Sequence, residues 1–198
     1  MMRKLAVPLA AAFLLAGCFS STPAKRYFQI VALEQDAGTH PEIGRALYIE
    51  PVRVDPLYDD FRVIYRVSPF ELKYYSTVFW AKKPSDLFRE AMGQYLLRKE
   101  GFAQVTIDIL QGDPDVVLRS NVRLVEEIDN PDVWFGRLAM DFEFFEFKSG
   151  TRLARHSFDR RLPLGSRKVQ FLPSALSRIL VEELDIAVGK LAGALLGK

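Results

Sequence analysis

Two stretches in the second half of the chain alternate apolar and polar residues so regularly that they suit only β-strands with one face on a core. From Val116 to Ile128, Val116, Leu118, Ser120, Val122 and Leu124 share one side, and Arg119, Asn121 and Arg123 share the other. From Leu138 to Phe147, Leu138, Met140, Phe142 and Phe144 oppose Asp141 and Glu143. The pattern then slips at Phe144-Phe145, the mark of a bulge. Lys148-Ser149-Gly150 reads as a hairpin turn into a third strand, Thr151 to Leu162. Such an antiparallel meander keeps one polar face and needs a cover on the other.

Two segments can supply the cover. Pro84-Ser85 opens a helix with Ser85 as its N-cap. Leu87, Phe88, Ala91, Met92, Tyr95 and Leu96 then form one stripe, running to about Lys99 before Gly101 stops the helix. A longer helix runs from about Pro173 to Leu196. Its stripe is Leu172, Leu176, Ile179, Leu180, Leu184, Ala187, Val188, Leu191 and Leu195. Before the first helix, strands are expected at Tyr27–Leu33, at Leu47–Val54 with a bend near Pro51, and at Phe61–Val67 and Glu71–Phe79. A short strand is expected at Phe102–Ile109. No Pro/Gly linker or repeat divides the chain. The fold class is α+β: a single domain with a mostly antiparallel or mixed sheet covered by two helices, the second a long C-terminal helix.

The N-terminus reads as an address. Arg3 and Lys4 precede an apolar run from Leu5 to Leu15, and Leu15-Ala16-Gly17-Cys18 follows. The run is shorter than the roughly 20 residues of a membrane span. It fits a secretory signal ending in a bacterial lipobox. Cys18 is the only cysteine of the 198 residues, and it stands where lipidation needs it. Acylation at Cys18 would bury many CH₂ groups at about 0.8 kcal/mol each, a stable anchor. Residues 1–17 are thus read as signal peptide, 18–25 as lipidated tether and 26–198 as the folded domain. Phe19 follows the cysteine where inner-membrane retention uses Asp, which points to the outer membrane and its periplasmic face. Two of the 27 basic residues lie in the leader, and the remainder equal the 25 acidic ones. A neutral mature chain does not suit a general nucleic-acid binder.

Catalytic signals are missing. His40 and His156 have no partner at a recognisable spacing and read as surface or structural residues. No phosphate-binding loop, G-x-S-x-G or H-E-x-x-H motif occurs. Asp113 and Asp115 around Pro114 read as a loop entering a strand. Glu126, Glu127, Asp129 and Asp132 around Asn130-Pro131 lack the ligand pattern of a calcium loop and read as a solvated hairpin. Arg152, Arg155, Arg160, Arg161, Arg167 and Lys168 read as a solvated strand face, with anionic lipid or an acidic partner as the alternative. The chain is therefore expected to be non-enzymatic, with no metal and no cofactor.

Tyr58 to Trp80 is dense in aromatics and arginine: Tyr58, Phe61, Arg62, Tyr65, Arg66, Phe70, Tyr74, Tyr75, Phe79 and Trp80. Half should be core. Tyr58, Arg62, Arg66, Tyr74 and Trp80 are candidates for a partner interface, because Tyr, Trp and Arg are enriched at hot spots. The order of features resembles the ABC-type transport auxiliary lipoproteins, also called paraquat-inducible C-type lipoproteins. The resemblance rests on the lipobox and tether, on Arg26-Tyr27-Phe28-Gln29-Ile30 and on Ile49-Glu50-Pro51-Val52-Arg53-Val54-Asp55-Pro56. It extends through Tyr58-Asp59-Asp60-Phe61-Arg62-Val63-Ile64-Tyr65-Arg66, Phe70-Glu71-Leu72-Lys73-Tyr74-Tyr75 and Trp80-Ala81-Lys82-Lys83-Pro84 to the meander and last helix. Tyr27-Phe28 stands where the family usually has two tyrosines.

The resemblance implies an accessory part of an ABC-driven lipid transport system, anchored at the outer membrane through Cys18. It implies association with ABC transporter components and with a mammalian-cell-entry (MCE) domain protein, and for some relatives a homo-oligomeric ring. The other class of function is a periplasmic carrier of lipid or another apolar ligand, suggested by Phe142, Phe144, Phe145 and Phe147 in one strand.

Overall fold

The computed structural model describes residues 23–32, 41–109 and 112–197. The leader, Cys18, most of the tether and His40 lie outside the described residues. Among the described residues the fold is α+β, a nine-stranded mixed sheet with two helices on one face.

The sheet is organised around β7 (Val116–Asn130), a strand of 15 residues. One edge of β7 pairs antiparallel along its length with β8 (Val133–Glu146), which pairs antiparallel with β9 (Arg152–Pro163). This is the expected meander. The expected bulge is present between Phe144 and Phe145, and Gly150 closes the turn at φ +68°, a conformation that glycine adopts without steric cost.

The other edge of β7 is shared end to end by three strands, all parallel to it. β2 (Ala46–Ile49) aligns Leu47 with Val116. β3 (Arg53–Val54) aligns Arg53 with Asn121. β4 (Arg62–Ser68) aligns Tyr65 with Glu127. The expected bend at Pro51 is a complete break between β2 and β3, as a residue without an N–H favours. β4 turns back into β5 (Glu71–Trp80), and β5 carries β1 (Arg26–Phe28) on its outer edge.

β1 is shorter than expected because the chain leaves the sheet for the helices. Ile30 enters the core and the Val31 N–H donates to Ser177 Oγ at 3.2 Å. β6 (Gln104–Thr106) pairs with β2 and is also short. The Thr106 hydroxyl receives the Asp108 N–H and ends the strand in a local turn.

Helix α1 (Pro84–Arg98) matches its stripe, with Leu87, Phe88, Ala91, Met92, Tyr95 and Leu96 buried. Its start differs by two residues from the expectation. Lys83 is the N-cap and Pro84 the first helical residue, a position where a missing N–H costs nothing. Ser85 does not cap. Its N–H is instead taken by Asp59 Oδ1 at 3.1 Å, a cap supplied from 26 residues away. Beyond α1 the left-handed residue is Glu100 at φ +53°, not Gly101.

Helix α2 (Leu172–Leu196) lies along β8 and β9. Beneath it Leu138, Met140, Phe142 and Phe144 are fully buried. Each such side chain contributes about 1.5–3 kcal/mol of hydrophobic stabilisation. At Gly136 a methyl would come within 3.2 Å of Ala175 Cβ and Leu172 Cδ1, so glycine permits the close approach of helix to sheet.

One feature of β7 departs from its alternation. Val122 pairs with Met140, but Leu124 pairs with Ala139. Arg123 is the extra residue, held by Phe158 O at 2.8 Å and by Asp141 at 3.1 Å. The bulge exchanges the two faces of the strand beyond it. Leu124 therefore does not share Val122's face, and Glu127 turns toward the helices while Glu126 turns to the open face.

Candidate functional site

β4, β7, β8 and β9 bring their ends together at one end of the sheet. There β7 buries two consecutive carboxylates. Glu126 and Glu127 are 1% and 0% exposed, which corrects their assignment to a solvated hairpin. Only the outer part of that acidic stretch behaves as expected, with Asp132 exposed in the turn.

Glu126 sits among cations and a phenol. The Tyr58 hydroxyl donates to it at 2.9 Å, Arg66 Nε donates to both oxygens at 2.9 and 3.0 Å, and Arg137 Nη1 donates at 3.2 Å. Arg137 also places a two-pronged fork on Asp159 at 2.8 and 2.6 Å. Hydrogen bonds of this fork hold the Asp159 carboxyl below the usual carboxylate range. Burial, reinforced by the Glu126 charge, pushes the Tyr58 phenol up to about 12.

Glu127, on the helix-covered face, accepts from Tyr75 Oη at 3.0 Å and from Trp134 Nε1 at 2.7 Å. Burial raises its pKa above the ordinary glutamate value, and the two donors offset this only in part. Because neighbouring side chains of a strand point to opposite faces, Glu126 and Glu127 cannot act as an acid–base pair on one substrate.

His156 is buried under α2, as a structural histidine would be. Its Nε2 meets Glu183 at 2.5 Å and its Nδ1 meets Lys190 at 2.8 Å. Both ring nitrogens are thus engaged, and the ring stacks on Phe158. These partners lie 27 and 34 positions away, so no short motif announces them.

The five residues expected at a partner interface fall into two layers. Tyr58 and Trp80 are core residues, 3% and 2% exposed. Arg66 joins Tyr58 on Glu126. Arg62 and Tyr74 lie outside that layer. The Arg62 guanidinium forks onto Asp60 at 3.0 and 2.8 Å and lies 4.0 Å from the Tyr74 ring centroid. The Tyr74 hydroxyl donates to Leu57 O at 3.1 Å. Beyond them Phe70, at the β4–β5 turn, is 99% exposed.

The basic stretch near the C-terminus is exposed as expected, except at the half-buried Arg160, and several of its members are ion-paired. Arg152 pairs with Glu143, Arg160 with Glu182 and Glu183 on the helix side, and Arg167 with Asp129 while covering Trp134. The phenylalanines of β8 do not converge. Phe142 and Phe144 are core, whereas Phe145 lies under the Arg119 guanidinium at 4.4 Å. Among the described residues no group of three His, Cys, Asp or Glu could hold a metal ion, and no helix is long and apolar enough to cross a membrane.

Comparisons with solved structures agree on this architecture. XCC0632 from Xanthomonas campestris superposes with a TM-score of 0.70 at 17% identity, covering 85% of this chain and 93% of that one. The PelC dodecamer from Paraburkholderia phytofirmans gives 0.50 at 12% identity, over 78% and 93%. CT253 from Chlamydia trachomatis gives 0.50 at 9%, over 78% and 100%. At such identities the likeness is one of fold. No curated protein matches the chain in sequence. The sequence model of the ABC-type transport auxiliary lipoprotein component matches residues 28–186, from the end of β1 into α2, and the chain belongs to that family.

Proposed function

We propose that the protein is a lipid-anchored periplasmic accessory subunit of an ABC-driven intermembrane lipid transport system. It docks the transport conduit at the outer membrane and works with an MCE-domain protein. The observation that carries this reading is the family match over residues 28–186, joined to a lone Cys18 in a lipobox ahead of it. The domain has the means for docking rather than turnover. Arg62 and Tyr74 present a guanidinium and an aromatic ring side by side, and the Tyr74 hydroxyl is tied to the Leu57 carbonyl next to Tyr58. A pair of this kind suits the centre of a protein–protein contact. The similarly folded PelC is a dodecamer, which makes a ring of copies the natural arrangement to test.

Affinity purification of the lipidated chain from envelope extracts in mild detergent tests the reading. Co-recovery of an ABC permease, its ATPase and an MCE-domain protein is the expected result. Arg62→Ala with Tyr74→Ala should abolish that recovery while the protein stays folded. Recovery of none of the three with the wild-type chain would overturn the proposal.

A further inference from the structure

Beside Glu126, the ends of β4, β7, β8 and β9 enclose an open cavity of about 310 Å³. Its polar lining is Arg66, Ser68, Asn130, Arg137 and Arg161, with no carboxylate among the lining residues. Each polar liner has a donor to offer. The Ser68 hydroxyl oxygen already accepts the Phe70 N–H at 3.3 Å, and the Asn130 side-chain oxygen accepts the Asp132 N–H at 3.2 Å. Arg66 and Arg137 are held in place by Glu126 and Asp159. The Arg161 side chain is exposed, and its charge acts on Asp159 without a side-chain hydrogen bond or salt bridge among the described residues. Three guanidiniums therefore face two carboxylates, and the surplus positive charge resides on Arg161.

A cavity lined by donors and carrying surplus positive charge selects an oxoanion, and guanidinium geometry favours a planar carboxylate or a phosphate. The three guanidiniums with the Ser68 and Asn130 donors exceed what the two oxygens of a carboxylate can accept, which favours a phosphate. Phe70 adds an apolar neighbour to the site. It follows Pro69, itself a lining residue, and its ring is almost wholly exposed. An apolar side chain at the rim of a cationic cavity suits an amphiphile, with its head among the arginines and its chains against the ring. We propose that this cavity binds a phosphate group such as a phospholipid headgroup carries, with Arg161 as the principal contact. The proposal stands apart from the transport reading, because it concerns the purified protein alone.

The test is calorimetric titration of the full mature lipoprotein in nonionic detergent. The titrants are inorganic phosphate, and phosphatidylglycerol or phosphatidylcholine dispersed in the same detergent. Saturable binding is expected, weakened about tenfold or more by Arg161→Ala, as loss of a charge-assisted hydrogen bond implies. Arg161→Lys should restore part of it, and urea unfolding should show both variants as stable as wild type. Tighter binding of phosphatidylglycerol than of inorganic phosphate, with Phe70→Ser removing only that advantage, supports the site as a lipid headgroup site. Equal affinities, insensitive to Phe70→Ser, support it as a site for free phosphate. No saturable binding of any titrant, or binding unchanged by Arg161→Ala, would overturn the proposal.

Discussion

Replacing Glu126 by glutamine preserves the shape of the side chain and removes the charge that holds two arginines. Breaking a buried ion pair by neutralising one partner costs about 3–5 kcal/mol when the other charge is left stranded. Here the stranding is incomplete. Arg137 keeps its fork on Asp159. Arg66 keeps the Tyr58 hydroxyl at 3.1 Å and Pro69 O at 3.3 Å, and its side chain is 20% exposed. Glutamine can still accept one bond from Tyr58. The expected loss is therefore about 2–3 kcal/mol, below the full figure. Urea unfolding at pH 7 reads it directly. With a slope of about 2 kcal/mol per molar, the midpoint should fall by about 1–1.5 M at unchanged slope. In an Arg66→Met background the same substitution should cost clearly less, because the stranded cation is gone. A midpoint shift below about 0.3 M, or a loss undiminished by Arg66→Met, would show that the cluster does not support the fold as argued.

Gly136→Ala should destabilise by about 1–3 kcal/mol, read by the same unfolding assay, since its methyl meets Ala175 and Leu172 at 3.2 Å and only the leucine can rotate away. Glu127 has a folded pKa raised by burial, so its favourable contribution is present in full below the unfolded glutamate value and is lost as pH rises through the folded one. Glu127→Gln should accordingly gain stability relative to wild type as pH goes from about 4 to 8; a flat or reversed difference refutes the assignment. Cys18→Ser removes the thiol needed for acylation, so the variant should lose palmitate labelling and outer-membrane recovery. Unchanged fractionation would mean that the lipobox has been misread.

The parts of the fold legible in the sequence are those set by local periodicity. The meander, the slip at Phe144, the turn at Gly150 and both helical stripes depend on residues a few positions apart, and all occur in the structure. What was not legible depends on partners far along the chain. The bulge at Arg123 is invisible because Leu124 continues the alternation that the bulge breaks. The burial of Glu126 and Glu127 follows from that bulge and from donors supplied by Tyr58, Arg66, Tyr75 and Trp134. The one available signal was an acidic pair interrupting the alternating strand. The helix cap from Asp59 and the embrace of His156 by Glu183 and Lys190 likewise join segments that composition cannot connect. Within the aromatic and arginine-rich stretch, composition does not separate surface from core: Trp80 is buried at the end of β5 and Tyr58 on Glu126, while Arg62 and Tyr74 stay nearer the surface.

The sharing of one edge of β7 by three parallel strands fixes an order of events in folding. β7, β8 and β9 are joined by tight hairpins, and their contacts can form early at small entropic cost. The edges of β2, β3 and β4 that face β7 cannot. Ala46 meets Asp115 across 69 positions of chain, and these edges have no template until β7 exists. A chain growing from its N-terminus can pair β4 with β5, but it must hold those three edges open until residues 116–130 have been made. Substitutions in the β7–β8 hairpin should slow refolding, whereas equally destabilising ones in β2 or β3 should act chiefly by speeding unfolding.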